Sequence, residues 1–176
     1  GTAVTEIIRG RVIPAAHELI EGESLEAVAQ NLGTRSLAPE GTAAILLLEA
    51  DGTPAAVAEE TDRIEEACRA AGATEVLRAK DDVERTELWR VRRELSFSLK
   101  KVAGLKFNHD VVVPKARIPE LFALVHMIRE AHTLRIPLFG HAGDGNIHVN
   151  IMVDPEDADE IRRAHEAGQV LFRGVV

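Results

Sequence analysis

The segment of the sequence richest in chemically useful side chains is residues 140–150, which read GHAGDGNIHVN. Two histidines, His141 and His148, flank an Asp144-Gly145 dipeptide that is typical of tight β-hairpin turns. A two-residue turn centred on this dipeptide would pair His141 directly with His148, and directly opposed residues share one face of a sheet. The sequence therefore predicts two imidazoles on the same side of a hairpin.

Two interpretations of this histidine pair remain open from the local sequence. Neutral imidazoles placed side by side could bind a divalent metal, although a protein site normally needs a third ligand. The alternative is a hairpin whose histidines only form hydrogen bonds. Asn150, two residues beyond His148, is expected to face the same way.

A second candidate lies between Arg85 and Lys106, where seven cationic residues stand against two acidic ones. Arg92 and Ser96 are one helical turn apart beside the apolar stripe of a predicted helix, and a guanidinium next to a hydroxyl group suits carboxylate binding. Lys106, on the polar side of the next predicted strand, would join that anion site or be exposed. The alternative for the whole stretch is a solvated helix face.

The composition is that of a globular protein of 176 residues with a net charge of -8. This acidic balance argues against a duplex nucleic-acid binder, and no apolar run is long enough to span a bilayer. The single cysteine, Cys68, cannot form an internal disulfide, which favours a cytoplasmic setting. Cys68 lies on an apolar helix face and is expected to be a small buried hydrophobe.

Strand-like and helix-like patterns are intermixed, and at least one tight hairpin is antiparallel. We therefore predict an α+β fold with helices packed on one face of an antiparallel sheet. Predicted strands are 12–20, 43–49, 74–79, 105–113 and a pair within 136–154. Predicted helices are one capped by Ser24 and ended by Gly33, one from Pro54 to the turn at Gly72, 82–102, 118–134 and one from Pro155.

Several segments resemble, in order along the chain, the C-terminal domain of FAD-linked oxidases. This is the family of D-2-hydroxyacid dehydrogenases, which includes the glycolate oxidase FAD subunit and D-lactate dehydrogenase. The most specific segment is GHAGDGNIHVNIMVDP, which begins at Gly140. The others are IPAAHE at 13–18, AGATEV at 71–76, ELWRVRR at 87–93 and VVVPKARIPEL at 111–121.

The resemblance implies a fold of two fused ferredoxin-like α+β halves that caps a substrate over a flavin. His141 and His148 match two histidines that bind a divalent metal, zinc or manganese. The remaining matches concern the substrate and are Arg92 for its carboxylate, Ser96 as a hydroxyl that assists, Lys106 as a carboxylate-binding lysine and Asn150 as a substrate contact.

The resemblance also implies that residues 1–176 are a fragment. Members of the family continue into a Gly-Glu-His-Gly segment whose Glu completes the metal site and whose His is the expected general base. We expect the chain to lack that segment and the N-terminal domain that binds most of the FAD, to contain no catalytic residue of its own and to be inactive alone. His109 stands where many members have Glu, and the sequence assigns it no role.

The expected function is therefore that of the substrate-binding cap domain of an FAD-dependent oxidoreductase. Its substrate would be a small D-2-hydroxy acid of the glycolate or D-lactate type, oxidised to the 2-oxo acid by hydride transfer to flavin. Expected partners are the protein's own FAD domain and an iron–sulfur electron-acceptor subunit, in the cytoplasm or at the membrane periphery. The alternatives are a stand-alone ferredoxin-like module that binds a small carboxylate without catalysis, and a metal-dependent hydrolase, which the lack of a third ligand at conventional spacing weakens.

Overall fold

The fold is that of a computed structural model, which describes residues 14–34 and 38–175. Its strands are β1 (Ala16–Glu21), β2 (Ala44–Glu49), β3 (Leu105–Val112), β4 (Leu138–His141) and β5 (Asn146–Val153). Its helices are α1 (Gly22–Leu32), α2 (Pro54–Ala70), α3 (Asp82–Ala103), α4 (Ile118–His132) and α5 (Ala158–Val175). The α+β prediction is confirmed. Over the described residues, no helix is both long and apolar enough to cross a bilayer.

The strands form one antiparallel sheet in the order β2-β1-β4-β5-β3. β1, near the start of the described residues, lies between β2 and β4. It therefore borders the β4–β5 hairpin, which lies near the end of the described residues. Glu18 of β1 is directly opposite His141 of β4. On the other side of the hairpin, Asp110 of β3 is directly opposite His148 of β5.

Helices pack on both faces of this sheet. On one face, α4 and α5 cover Leu19 and Leu138, and on the other α1 and α3 cover Ile20 and Phe139. Neighbouring residues in a strand point to opposite faces, so these two clusters lie on opposite sides. The expectation that helices pack on one face is wrong in this respect, since both sides of β1 and β4 are apolar and each needs a cover. The described strands also form one sheet rather than the two implied by fused ferredoxin-like halves.

The ends of the helices that carry the site follow from local hydrogen bonding. Asp81 caps α3 because its side-chain oxygen accepts the N–H groups of Val83 and Glu84, each at 2.9 Å. Ser24 was expected to cap α1, but the chain turns directly from β1 into the helix and Ser24 lies inside it. The fully buried Ser24 hydroxyl instead donates to the backbone oxygen of Leu138 at 3.1 Å, which ties α1 to β4.

Two strand predictions differ from the structure. Residues 74–79 form no strand: only Val76 packs near Ile64 and Cys68, whereas Leu77 is 68% exposed, and one partly buried side chain does not anchor a strand. The strand predicted at 12–20 begins at Ala16, and residues 12 and 13 lie outside the described residues. Cys68 is a buried free thiol, as predicted, and burial raises its pKa.

Candidate functional site

The β4–β5 hairpin has a different turn from the one expected. His141 is opposite Asn146, so four residues form the loop, and the His141 oxygen accepts the N–H groups of Asp144 and Gly145. A type I′ turn needs positive φ at both central residues, but only Gly145 has it, at 84°. The predicted direct pairing of His141 with His148 is therefore wrong by two residues.

A shift of two residues leaves every side chain on its original face, so the prediction of a shared face is confirmed. His148 is opposite Phe139, two residues before His141 on β4. The His141 and His148 rings are diagonal neighbours, with their centroids 5.8 Å apart and their planes at 73°. Both imidazoles lie on the face of the sheet that α1 and α3 cover.

Each imidazole is held through Nδ1 by a carboxylate from a neighbouring strand. Oε1 of Glu18 contacts Nδ1 of His141, and Oδ1 of Asp110 lies 2.6 Å from Nδ1 of His148. An ionised carboxylate can only accept a hydrogen bond, so Nδ1 is the donor in both rings. In a neutral ring this leaves the lone pair on Nε2, which is the arrangement found in metal-binding histidines.

Asp110 is the more exposed of the two carboxylates. Hydrogen bonds from His148 and, at 2.9 Å, from Asn108 lower the pKa of Asp110 below its ordinary value. The Asp110 carboxylate therefore stays ionised near neutral pH and keeps accepting the proton on Nδ1 of His148.

Arg92 reaches the same place from α3. Its Nε donates to Oε2 of Glu18 at 2.6 Å, and its guanidinium carbon lies 5.2 Å from the centroid of the Phe139 ring. Phe139 in turn contacts His148, with ring centroids 4.9 Å apart. Since the bond to Glu18 uses only Nε, the two terminal amino groups of Arg92 are not engaged by that carboxylate.

Ser96 of α3 and Lys106 of β3 contact each other. Nζ of Lys106 donates to the Ser96 hydroxyl at 2.9 Å, so the lysine of β3 approaches the helical turn that follows Arg92. Burial, with a smaller contribution from nearby Lys100, lowers the pKa of Lys106. A partly desolvated ammonium is a stronger partner for an anion than one in bulk water.

Asn150 is fully buried on the same sheet face, two residues along β5 from His148. Its side-chain amide donates to the backbone oxygens of Pro137 and His148, at 3.2 and 3.1 Å. Its Oδ1 is buried and has no hydrogen-bond partner in the structure. Asn150 thus offers one free acceptor, while its donors are used to hold β5 against the chain before β4.

His109 lies on the opposite face of the sheet from the site. Its ring packs edge-on against Phe172 of α5 at 5.1 Å between centroids, and its Nε2 would lie 3.3 Å from a side chain built at Gly168. Burial lowers the pKa of His109. Its position therefore gives it a packing contact with α5, which sequence reasoning had left unassigned.

Sequence reasoning missed Glu18, Asp110 and Phe139 as members of the site. Glu18 carried a signal, since it is an acid within the otherwise poorly charged run from Ala16 to Ile20, and an acid there must be paired if it is buried. Asp110 lies with Lys106 on the polar face of β3, but nothing in the local sequence connects it with His148.

Metal binding by the pair is not completed by other described residues. Across residues 14–34 and 38–175 there is no group of three or more His, Cys, Asp or Glu side chains arranged to hold a metal ion. His141 and His148 supply two nitrogen donors on one face, which fits part of a coordination sphere.

Comparison with known proteins gives a consistent result. The family described as FAD linked oxidases, C-terminal domain, matches residues 1–175. Glycolate oxidase subunit GlcD of Escherichia coli is 30% identical over 168 residues, covering 96% of this chain and 33% of that protein. The Bacillus subtilis protein of the same name is 29% identical over 173 residues, covering 98% and 36%.

A vertebrate protein shows a similar level of identity. The probable mitochondrial D-lactate dehydrogenase of Danio rerio is 32% identical over 130 residues, covering 73% of this chain and 26% of that protein. The matched region is therefore about a third of the length of the bacterial relatives and about a quarter of the fish protein.

Proposed function

Because this chain belongs to the FAD-linked oxidases, as their C-terminal domain, we propose that it forms the substrate-binding side of an FAD-dependent oxidoreductase. The proposed substrate is a small D-2-hydroxy acid of the glycolate or D-lactate type, which is oxidised to the 2-oxo acid. The names of the relatives, glycolate oxidase subunit and D-lactate dehydrogenase, support that class of substrate.

The observation that carries this proposal is the convergence of cations and imidazoles on one sheet face. Arg92 and His141 contact the same Glu18 carboxylate, and Phe139 lies against both Arg92 and His148. A 2-hydroxy acid has a carboxylate and a hydroxyl group on adjacent carbons, so it needs an anion-binding group beside a hydroxyl-binding group.

The proposed roles follow from the chemistry of each side chain. The terminal amino groups of Arg92 bind the substrate carboxylate in a two-point contact, and Lys106, oriented by Ser96, adds a second positive charge. The proposed substrate contact of Asn150 is its unpaired Oδ1, which is buried and has to become accessible before it can accept from a substrate donor.

Nε2 of His141 and of His148 fit two ligand positions of a zinc or manganese site. The third ligand and the general base would come from residues outside the described chain. When bound, such a metal polarises the substrate hydroxyl group and lowers its pKa. The two carboxylates that hold Nδ1 keep the Nε2 lone pairs available on two imidazoles that share one face of the sheet.

We propose that residues 1–176 are the cap domain and that a separate FAD domain of the same protein holds the flavin opposite the site. Bound there, the flavin supplies the two-electron acceptor for the hydride of the hydroxy acid. On this proposal the chain alone is inactive. An iron–sulfur subunit receives the electrons, and the assembled enzyme lies in the cytoplasm or at the membrane periphery.

The experiment that tests this function is anaerobic reduction of the flavin in the full-length protein. Addition of D-lactate or glycolate is expected to bleach the long-wavelength flavin absorbance, whereas L-lactate is the matched control for stereochemistry. Isolated residues 1–176 are expected to be colourless. If no 2-hydroxy acid bleaches a flavin-loaded protein, the proposed function is wrong, and carboxylate binding without turnover would favour the non-catalytic module.

The metal part of the proposal has its own measurement. Titration of the full-length protein with zinc or manganese is expected to show binding that His141→Ala and His148→Ala each weaken. His132→Ala, at the end of α4 and outside the site, is the control. Equal affinity in all four proteins would remove the metal from this site.

A further inference from the structure

Glu18 is a buried acid whose two oxygens contact two different members of the site. The residue is 6% exposed, Oε2 accepts from Nε of Arg92 at 2.6 Å, and Oε1 contacts Nδ1 of His141. A carboxylate removed from water in this way is stable only when it is paired and hydrogen-bonded. Both of its pairing partners are groups for which the proposed function needs a fixed orientation.

The sheet register explains how one carboxylate reaches both groups. Glu18 is directly opposite His141 across the β1–β4 ladder, which places both side chains on the face covered by α3. Arg92 comes down from α3 onto the same face and lies over Phe139. Glu18 therefore connects the strand that carries one imidazole with the helix that carries the guanidinium.

We propose that Glu18 is a positioning residue that fixes the tautomer of His141 and the direction of Arg92 together; this inference rests on the proposed function. By accepting the proton on Nδ1, Glu18 keeps the lone pair of His141 on Nε2, facing the substrate site. By binding Nε of Arg92, it leaves the terminal amino groups directed away from itself, where a carboxylate can bind both. Glu18 does not touch the substrate in this role.

The variant Glu18→Gln tests this role because it keeps the size of the side chain and changes one acceptor into a donor. An amide group cannot donate to the guanidinium, so the Gln oxygen is expected to face Arg92 and its amino group to face Nδ1 of His141. Nδ1 then becomes an acceptor and the proton moves to Nε2. Nε2 of His141, which offers a lone pair in the wild type, then carries an N–H group instead.

A matched control exists on the same strand. Glu21 is a half-buried carboxylate of β1 that accepts from Arg129 and from the Leu138 N–H, each at 2.9 Å. Because Glu21 faces α4 rather than α3, Glu21→Gln removes a comparable buried charge without touching the site. It reports what the loss of such a pair does to folding alone.

The first measurement is the ring ¹⁵N spectrum of histidine-labelled full-length protein, in which the His141 signal is assigned by its loss in His141→Gln. Wild type and Glu21→Gln are expected to show a protonated Nδ1 at His141, and Glu18→Gln a protonated Nε2. A protonated Nδ1 that persists in folded Glu18→Gln would overturn the inference. This readout does not depend on turnover, so it stands or falls separately from the proposed function.

The second measurement is steady-state oxidation of the hydroxy acid. Glu18→Gln is expected to lower kcat/KM by about 10- to 100-fold, with both a higher KM and a lower kcat, since it disturbs carboxylate binding and His141 together. Glu21→Gln is expected to stay within a few fold of wild type. Glu18→Asp keeps the charge but is about 1.5 Å shorter, so it cannot hold both partners and is expected to lose activity as well. Wild-type KM and kcat in Glu18→Asp and Glu18→Gln would refute the positioning role.

Discussion

Replacement of Arg92 by alanine is expected to lower both kcat/KM and the free energy of unfolding, and the two losses can be measured separately. Loss of a two-point contact with the substrate carboxylate removes two charge-assisted hydrogen bonds, about 3 kcal/mol together. At about 1.4 kcal/mol for each factor of ten, kcat/KM for the hydroxy acid should fall about 100-fold. The loss should lie mainly in KM, because the carboxylate is bound in the ground state as well as in the transition state.

The same replacement leaves Glu18 without its guanidinium partner. The side chains of Arg92 and Glu18 are 17% and 7% exposed, so this is a buried ion pair, and removing one partner of such a pair costs about 3 kcal/mol of unfolding free energy. Arg129→Ala breaks the similar pair with Glu21, whose side chains are 25% and 17% exposed. It should match the loss of stability without the loss of activity.

The assay is anaerobic flavin reduction and steady-state turnover by the full-length protein, together with denaturant unfolding of each variant. Arg93→Ala is the control for charge, since Arg93 is the next residue of α3 and is exposed. If folded Arg92→Ala keeps kcat/KM within threefold of wild type, Arg92 does not bind the substrate carboxylate. If Arg93→Ala loses as much as Arg92→Ala, the effect is one of general charge rather than of position.

Three further predictions concern the stability of the fold. Burial lowers the pKa of both His17 and His109. As the pH falls, the unfolded chain therefore binds protons that the folded chain does not. The free energy of unfolding should be highest above about pH 6.5 and fall as the pH drops towards 5.5. Denaturant midpoints across this window check it, and a slope unchanged in His17→Phe would contradict it. Gly145→Ala should destabilise the hairpin by more than about 2 kcal/mol, because φ is 84° and the new side chain would lie 2.0 Å from the backbone oxygen of Val113; a wild-type melting temperature would contradict this. Leu95→Ala, at a fully buried position between α3 and the sheet, should cost about 2–5 kcal/mol in denaturant unfolding, and a cost below 1 kcal/mol would show that the core refills the space.

The shared face of His141 and His148 could be predicted although the turn was not. Side chains alternate between the two faces along a strand. A register shift of two residues therefore leaves both histidines on the same face, whereas a shift of one residue would separate them. The turn itself depends on where the loop meets the rest of the fold. Gly145 accepts a hydrogen bond from the N–H of Val113, directly after the end of β3, and the local sequence does not reveal this contact.

The role of Glu18 could not be predicted from local patterns, because its partners are distant in sequence. Glu18 is 123 residues from His141 and 74 residues from Arg92. Residues 74–79 form no strand because none of the described strands pairs with them, and the local sequence cannot show whether a pairing partner exists. The helix α3 and the alternation of β3 were predictable since they depend on periodicity within one segment.

The position of β1 inside the sheet, between β2 and β4, has a consequence for how the protein reaches its native state. The β4–β5 ladder closes over a short loop and the β3–β5 ladder over a few tens of residues, whereas β1 must be inserted beside β4 across a separation of more than a hundred residues. Such long-range closure is slow, and until it occurs the apolar edge of β4 is open to pairing with other molecules. The site that joins Glu18 to His141 and Arg92 is complete only after β1 is inserted, so a ligand that binds this site should act as a pharmacological chaperone that selects fully assembled chains over aggregation-prone intermediates.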